Sequence, residues 1–427
     1  MLMLSRLLEI ARVTSKAAPL QAIILGLGFC SGLLIIHVLP PEDYALYIIA
    51  YSFLTTIIVV SDSGIGSAVL AEGGKVWQDS TKLGQVITTG LEIRKRFSLV
   101  AIIIALPTMA LFLAHHGASW KQIICIELVI LPLIYIQLSA DLLGVAPSLH
   151  QRISELQNVE FKTTFLRLAL FLICLFTLPY VAVVILATGI ATSYQLWRLR
   201  KISNSICDLN QPKDAKVKKS IYKVTRRMMP NAIYTCLSGT LSIWLISIFG
   251  NTESVAEVGA IERIARLLLV VMALFYLIIE PRFARLSESN PSLLRTRFLQ
   301  IHIASWVLGA GIALSIYLFP QPLVYLLGSH YENLTYEIQL RGLVMGLVFV
   351  ANATSSIASA RAWIVPPVPL ITGQIISQVI AIMVFDCSTT AGVILIPIFP
   401  ISVIIIMRTY YSLHSIQKLK HPTTDNG

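Results

Sequence analysis

Runs of apolar residues long enough to cross a bilayer recur along this chain, and basic residues collect in every second gap between them. A spanning helix needs about 20 apolar residues. Twelve runs qualify, near 19–39, 45–70, 97–114, 123–145, 163–178, 179–198, 229–249, 256–281, 298–319, 337–358, 364–385 and 389–411. With the N-terminus inside, 28 of the 33 Lys and Arg fall on inside segments and only Lys121 falls outside. One miscounted span would scramble that sorting, so the charges predict twelve spans with both termini cytoplasmic. The balance of 56% hydrophobic and 13% charged residues excludes a soluble domain, which carries about twice that share of charge.

The fold class that follows is all-α integral membrane. A basic stretch at about 198–228 splits the twelve helices into two six-helix bundles, 1–210 and 211–427. A weak internal echo supports a duplication. Val13-Thr14-Ser15-Lys16-Ala17-Ala18-Pro19 precedes the first span, and Val224-Thr225-Arg226-Arg227-Met228-Met229-Pro230 precedes the seventh. Both read V-T-x-[KR]-x-x-P, 211 residues apart, and the same offset pairs Glu42 with Glu253. Six being even, the halves are expected to be parallel repeats about an axis along the membrane normal. The basic stretch reads first as a retention signal touching lipid headgroups.

Ionisable residues inside spans are costly and mark candidate sites. Arg263 and Arg266 lie in the eighth run, GAIERIARLLLVVMALFYLIIE. Arg266 falls about ten residues, or roughly 15 Å, from the outside end. Spacing i,i+3 places both guanidinium groups on one helix face, which suits an anionic ligand such as a phosphate or pyrophosphate. The alternative is structural: Glu262, at i−4, neutralises Arg266. Asp62 lies deep in the second run. It is either a coupling site or partner to a cavity arginine, or a cap where the helix loosens at Asp62-Ser63-Gly64-Ile65-Gly66. Arg341, near the outer end of the tenth run, reads as an interfacial anchor or an exit contact for a phosphate. Lys16, Arg226 and Arg227 border the inside mouths, where they could contact a headgroup or simply hold the topology.

Several classes are excluded. There is no Walker A loop, no H-E-x-x-H and no G-x-S-x-G, and no loop outside is large enough for a catalytic domain, so a transporter is expected rather than an enzyme. The histidines and the six cysteines are scattered, with no metal-ligand spacing and no disulfide framework. Nothing calls for a cofactor, and nothing points to nucleic acid.

Three stretches carry a family resemblance: HVLPPEDYALY followed by SDSGIGSAVL, then GNTESVAEVGAIERIARLL, then FPQPLVYLLGSHYENL. They resemble the polysaccharide-export, O-antigen flippase (Wzx-type) branch of the multidrug/oligosaccharidyl-lipid/polysaccharide (MOP) exporter superfamily. The chain departs from that pattern at His37, where the family often has Arg. The resemblance implies a V-shaped pair of bundles around a central, often cationic cavity, with Arg263 and Arg266 as the matching cavity arginines. It implies an undecaprenyl-pyrophosphate-linked oligosaccharide, a unit of O-antigen or lipopolysaccharide-type surface glycan, moved across the bacterial inner membrane, with glycan polymerase or assembly proteins as possible partners. Two rivals are a drug/cation antiporter of the same superfamily and a membrane oligosaccharide polymerase or ligase. A non-transporting scaffold for glycan assembly is a third.

Overall fold

The structure is a computed structural model. It describes residues 2–420 except 269–271, 273–274, 276–278, 280–282, 284–285, 287–289, 362 and 364; for 2–18 and Lys420 it describes the backbone alone. The described residues are helical wherever they are regular, with no strand among them. They form two compact units, Met1–Ser247 and Ile248–Gly427. Ten of their helices are long and apolar enough to cross a membrane.

The first unit contains α1 (Leu2–Val38), α2 (Pro41–Asp62), α3 (Ile65–Lys75), α4 (Ser80–His115), α5 (Trp120–Leu143), the short α6 (Val145–Leu149), α7 (Ile153–Thr177), α8 (Val181–Asn204) and most of α9 (Ala215–Phe249). Their boundaries follow from the sequence. Pro41 takes the first helical position of α2, where a missing N–H costs nothing. Glu42 and Asp43 then place negative charge at the positive end of the helix dipole. Ser119 and Gln122 form a reciprocal capping box on α5. Helix α5 packs on α8, α1 on α7, and α2 on α4. A core of Ile65, Leu83, Ile87, Leu142 and Ile221 joins α3, α4, α5 and α9.

The basic stretch is more ordered than a linker. Helix α8 runs to Asn204 and α9 begins at Ala215, so only about ten residues lie outside helices. Its polar groups bond within the unit. Ser220 donates to Glu72 at 2.7 Å, and Lys213 and Lys218 lie 3.4 and 3.7 Å from Glu92. These lysines are tied to helix carboxylates, which a purely headgroup-facing segment would not require. Pro19 and Pro230, the last residues of the two sequence echoes, both lie inside long helices.

The second unit contains α10 (Thr252–Ala265), α11 (Pro291–Leu318), α12 (Gln321–Leu327), α13 (Thr335–Ala360), α14 (Pro367–Val384), α15 (Thr390–Leu395) and α16 (Ile398–Lys420). Helix α13 is its centre, packing on α10, α11, α15 and α16. It crosses α11 closely where two glycines meet: a Cβ on Gly309 would stand 2.7 Å from the Gly346 carbonyl oxygen. The outer side of α11 shows Ile303, Val307 and Leu314, an apolar surface of the kind lipid covers.

Two of the twelve expected spans are not among the ten helices long and apolar enough to cross. The fifth is α7, which starts ten residues earlier and carries Glu155, Glu160, Lys162 and Arg167. The eighth is helical as far as Ala265, then turns at Arg266 and Leu267, and most of its remainder lies outside the described residues.

Asp79 shows how a helix end in this fold depends on charge. Its carboxylate accepts from the Thr81 hydroxyl at 2.6 Å and from the Thr81 and Lys82 amides at 3.1 Å each. The Thr81 hydrogen bond first, and the Lys82 amide next, hold its pKa below the usual carboxylate range. A depressed folded-state value means that the cap is fully present above the unfolded carboxylate value, about pH 4. It is lost as pH falls through the depressed one. Amide-exchange protection at Thr81 and Lys82 should therefore decline only well below pH 4. Asp79→Asn, which caps without titrating, should keep protection flat, and Asp79→Ala should lack it throughout.

Candidate functional site

Helix α2 breaks where the sequence places Asp62. Ser63 and Gly64 both take left-handed backbone angles, φ 41° and 87°, and α3 restarts at Ile65. Gly64 is required twice over: its φ is unfavourable for a side chain, and a Cβ there would meet the Met228 Cβ at 2.8 Å. The Asp62 carboxylate caps the restart by accepting from the Gly66 amide at 2.9 Å. It also pairs with Arg94 of α4. The Arg94 guanidinium is only 5% exposed, and its second terminal nitrogen donates to the Leu138 carbonyl at 2.7 Å. Asp62 is thus both a helix cap and a half-buried counter-ion to a buried guanidinium.

From sequence alone, Arg94 counts with Lys95 and Arg96 among the basic residues of the inside segments and is not singled out. All three lie well inside α4, and only Arg94 is buried. The signal was helical spacing: Leu83, Ile87, Gly90 and Arg94 recur every three or four residues and all four are buried. Gly66 lets the guanidinium approach, since a Cβ there would lie 2.9 Å from Arg94 Nη2 and 3.4 Å from Asp62 Oδ1.

The first unit also holds a cavity of about 360 Å³ between α2, α5, α7 and α8, with a mixed polar and apolar lining. Helix α2 contributes Tyr51, Thr55 and Val59, and α5 contributes Leu133 and Gln137. Helix α7 contributes Glu160, Thr163, Thr164 and Arg167; α8 contributes Thr188, Thr192 and Gln195. Glu160 and Arg167 are seven residues apart, two turns along one face. The Arg167 charge acts on the Glu160 carboxylate, which also accepts from Gln21 of α1. Gln137 turns its amide nitrogen to Asp141, 3.0 Å away. Glu160 and Arg167 were missed as site residues because the fifth run, read from apolarity alone, begins after Glu160. The i,i+7 spacing of opposite charges with two threonines between them was the available clue.

In the second unit the arginines fall into different settings. Arg263 is 6% exposed on α10, whereas Arg266 is exposed in the cap turn that ends it. The expected sharing of one helix face does not give them one environment, because the helix stops between them. Glu262 does not neutralise Arg266. It bonds Arg341 of α13, Oε2 to Nη2 at 2.8 Å. Arg341 in turn is 9% exposed, a buried ion-pair partner rather than an interfacial anchor. Arg226 and Arg227 are exposed on α9, a dozen residues past its start. Lys16 lies on α1, and its side chain is outside the described residues.

No family model matches the sequence, and no curated protein sequence matches it. Solved structures do match the fold. An inward-facing multidrug resistance MATE family transporter of the MOP superfamily superposes with TM-score 0.70 at 15% identity, over 93% of this chain and 95% of that one. The lipid II flippase MurJ, in an inward closed conformation, matches with TM-score 0.68 at 13% identity, over 94% and 87%. A MOP superfamily transporter from Pyrococcus furiosus, described as having a binding pocket of reverse polarity, matches with TM-score 0.60 at 15% identity, over 95% and 96%. The chain therefore has the all-helical fold of MOP superfamily transporters, and it is a multi-pass membrane protein.

The geometry at Gly66 makes a checkable claim. Gly66→Ala should displace Arg94 from Asp62 and destabilise the protein by about 1–3 kcal/mol, the usual cost of an overpacked site. Gly74→Ala, whose Cβ would have 3.8 Å to Leu149, should be close to neutral. Denaturant unfolding in detergent, followed by circular dichroism, separates the two.

Proposed function

We propose that this chain is a flippase for a lipid-linked oligosaccharide. It carries an undecaprenyl-pyrophosphate-linked unit of O-antigen or a related surface polysaccharide from the cytoplasmic to the periplasmic leaflet of a bacterial inner membrane by alternating access. Both termini are cytoplasmic in this reading, and the two six-helix halves divide near residue 210; the sorting of basic residues in the sequence supports that orientation.

One observation carries the choice of an anionic substrate. The acid one turn before Arg266 is bonded to Arg341 instead. Arg266 thereby stays exposed beside Arg263, with no hydrogen bond or ion pair among the described residues. A guanidinium presents five donors in a planar fork matched to phosphate oxygens. We assign Arg266, with Arg263 next to it, to the pyrophosphate. A drug/cation antiporter requires carboxylates available to the cation. Here three of the helix carboxylates are already matched to arginines: Asp62 is held by Arg94, Glu262 by Arg341, and Glu160 has Arg167 on its own helix face.

Proteoliposomes holding a fluorescent lipid-pyrophosphate glycan test this. The unaltered chain should exchange the glycan between leaflets. Arg266→Ala should slow exchange at least about tenfold, the worth of a charge-assisted hydrogen bond, and Arg266→Lys should recover part of it. Equal rates for all three would remove the arginine from the mechanism, and absent exchange in the unaltered chain would remove the flippase reading.

A further inference from the structure

The cavity of the first unit has a hydrogen-bonding character that its residue names hide. A threonine hydroxyl owns one donor and two acceptor lone pairs. Four of the five lining threonines have already used the donor on their own helix. Thr55 donates to the Tyr51 and Ser52 carbonyls at 3.0 and 2.9 Å, and Thr163 to Val159 at 2.8 Å. Thr188 donates to Val184 at 3.2 Å, and Thr192 to Thr188 at 2.8 Å. What these side chains offer a ligand is their remaining lone pairs. Gln137 uses one amide N–H on Asp141 and keeps its carbonyl oxygen and its second N–H for a ligand. Glu160 adds acceptor oxygens, while Arg167 adds donors and cancels the charge.

The lining is therefore rich in acceptors and carries no net charge. Its ligand must donate to these oxygens, accept from Tyr51, Thr164, Gln195 and Arg167, and carry no charge of its own. A phosphate, rich in acceptors and charged, would gain Arg167 but face the Glu160 carboxylate and the threonine oxygens. An organic cation would gain Glu160 and face Arg167 at the same time. A compact polyol satisfies the lining: each hydroxyl donates to a threonine or glutamine oxygen and can accept from Arg167. By contrast, the larger hollow between α11 and α13, about 650 Å³, is walled mainly by apolar and aromatic side chains such as Trp306, Leu343 and Val350, with Tyr317, Tyr336 and Gln339 among its few polar groups.

We infer that this cavity is a binding site for a neutral, hydroxyl-rich sugar, read by Thr188, Thr192, Gln137 and the Glu160–Arg167 couple. The inference rests on the flippase reading only for the source of the sugar, the glycan of a lipid-linked substrate. The recognition chemistry stands on the lining itself.

The test uses the full-length protein in lipid nanodiscs with a reporter thiol at the exposed lining residue 59 (Val59→Cys). Alkylation there by a small maleimide is measured peptide by peptide, so the native cysteines do not interfere. The probes are glucose, galactose, N-acetylglucosamine and rhamnose, with tetramethylammonium and inorganic pyrophosphate as charged comparators. At least one neutral sugar should slow labelling about fivefold or more, the worth of one or two hydrogen bonds, and neither ion should. Adding Thr192→Val should abolish most of that protection while leaving the sugar-free labelling rate unchanged. If that variant fails to fold, Gln195→Met serves in its place. A short glycan on a lipid pyrophosphate that protects at lower concentration than the free sugar identifies the lipid-linked source; equal concentrations identify a free sugar, with the site intact.

Labelling that no neutral sugar slows, that either ion slows as much, or that stays protected in both variants overturns the inference. The two readings fail separately. Protection by sugar without leaflet exchange removes the flippase and leaves the site. Leaflet exchange without protection removes the site and leaves the flippase.

Discussion

A charge buried in a membrane helix has to bring its counter-charge with it. Ionised groups lose their hydration there, at a cost of several kcal/mol each after relaxation, and only close opposite charge with good hydrogen bonds offsets the loss. This constraint explains the plan of both units. In the first, Arg94 is buried because Asp62 and the Leu138 carbonyl receive it. In the second, Arg341 is buried because Glu262 reaches it from another helix. Each pair ties two helices together at a position where apolar packing alone would not fix their register.

The same constraint shapes what remains for a ligand. Once Asp62 and Glu262 are committed, they no longer offer a cation an open carboxylate. The break after α2 shows how much local sequence serves one pair. Ser63 and Gly64 turn the chain, Gly66 keeps its side vacant, and the carboxylate serves both the helix start and the guanidinium. Exposed groups are then conspicuous by contrast, Arg266 in one unit and the acceptor-lined cavity in the other. In the flippase we propose, anion chemistry and sugar chemistry are the two halves of a glycosylated lipid pyrophosphate, assigned to Arg266 and to the cavity respectively.

Much of the fold was legible because the hydrophobic period and the charge sorting are strong, long-range signals. Most of the expected runs coincide with helices, and Pro41, Ser119 and Asn290 mark helix starts as their chemistry demands. Single residues were harder. Glu262 chose a partner 79 positions away over the one four positions away, and sequence spacing shows only the local option. Arg94 sat among other basic residues that are exposed, so the count hid it. Glu160 was lost to a boundary drawn by apolarity, which penalises the charges that a polar cavity requires. Asp62 stood out as an acid inside an apolar run, but its partner lay 32 residues further on. Pairing across helices is tertiary information, and neither composition nor period carries it.

The measurement that most directly tests this account is a double-mutant cycle on Asp62 and Arg94, read by denaturant unfolding of the detergent-solubilised protein. Asp62→Ala alone should cost on the order of 3–5 kcal/mol, because it strands a buried guanidinium. Arg94→Met, which keeps the volume, should cost less. The double variant should recover much of the first loss, giving a coupling above about 1 kcal/mol. Single losses that add to within about 0.5 kcal/mol would show that the two charges are stable independently, and would contradict the pairing on which the rest of the account stands.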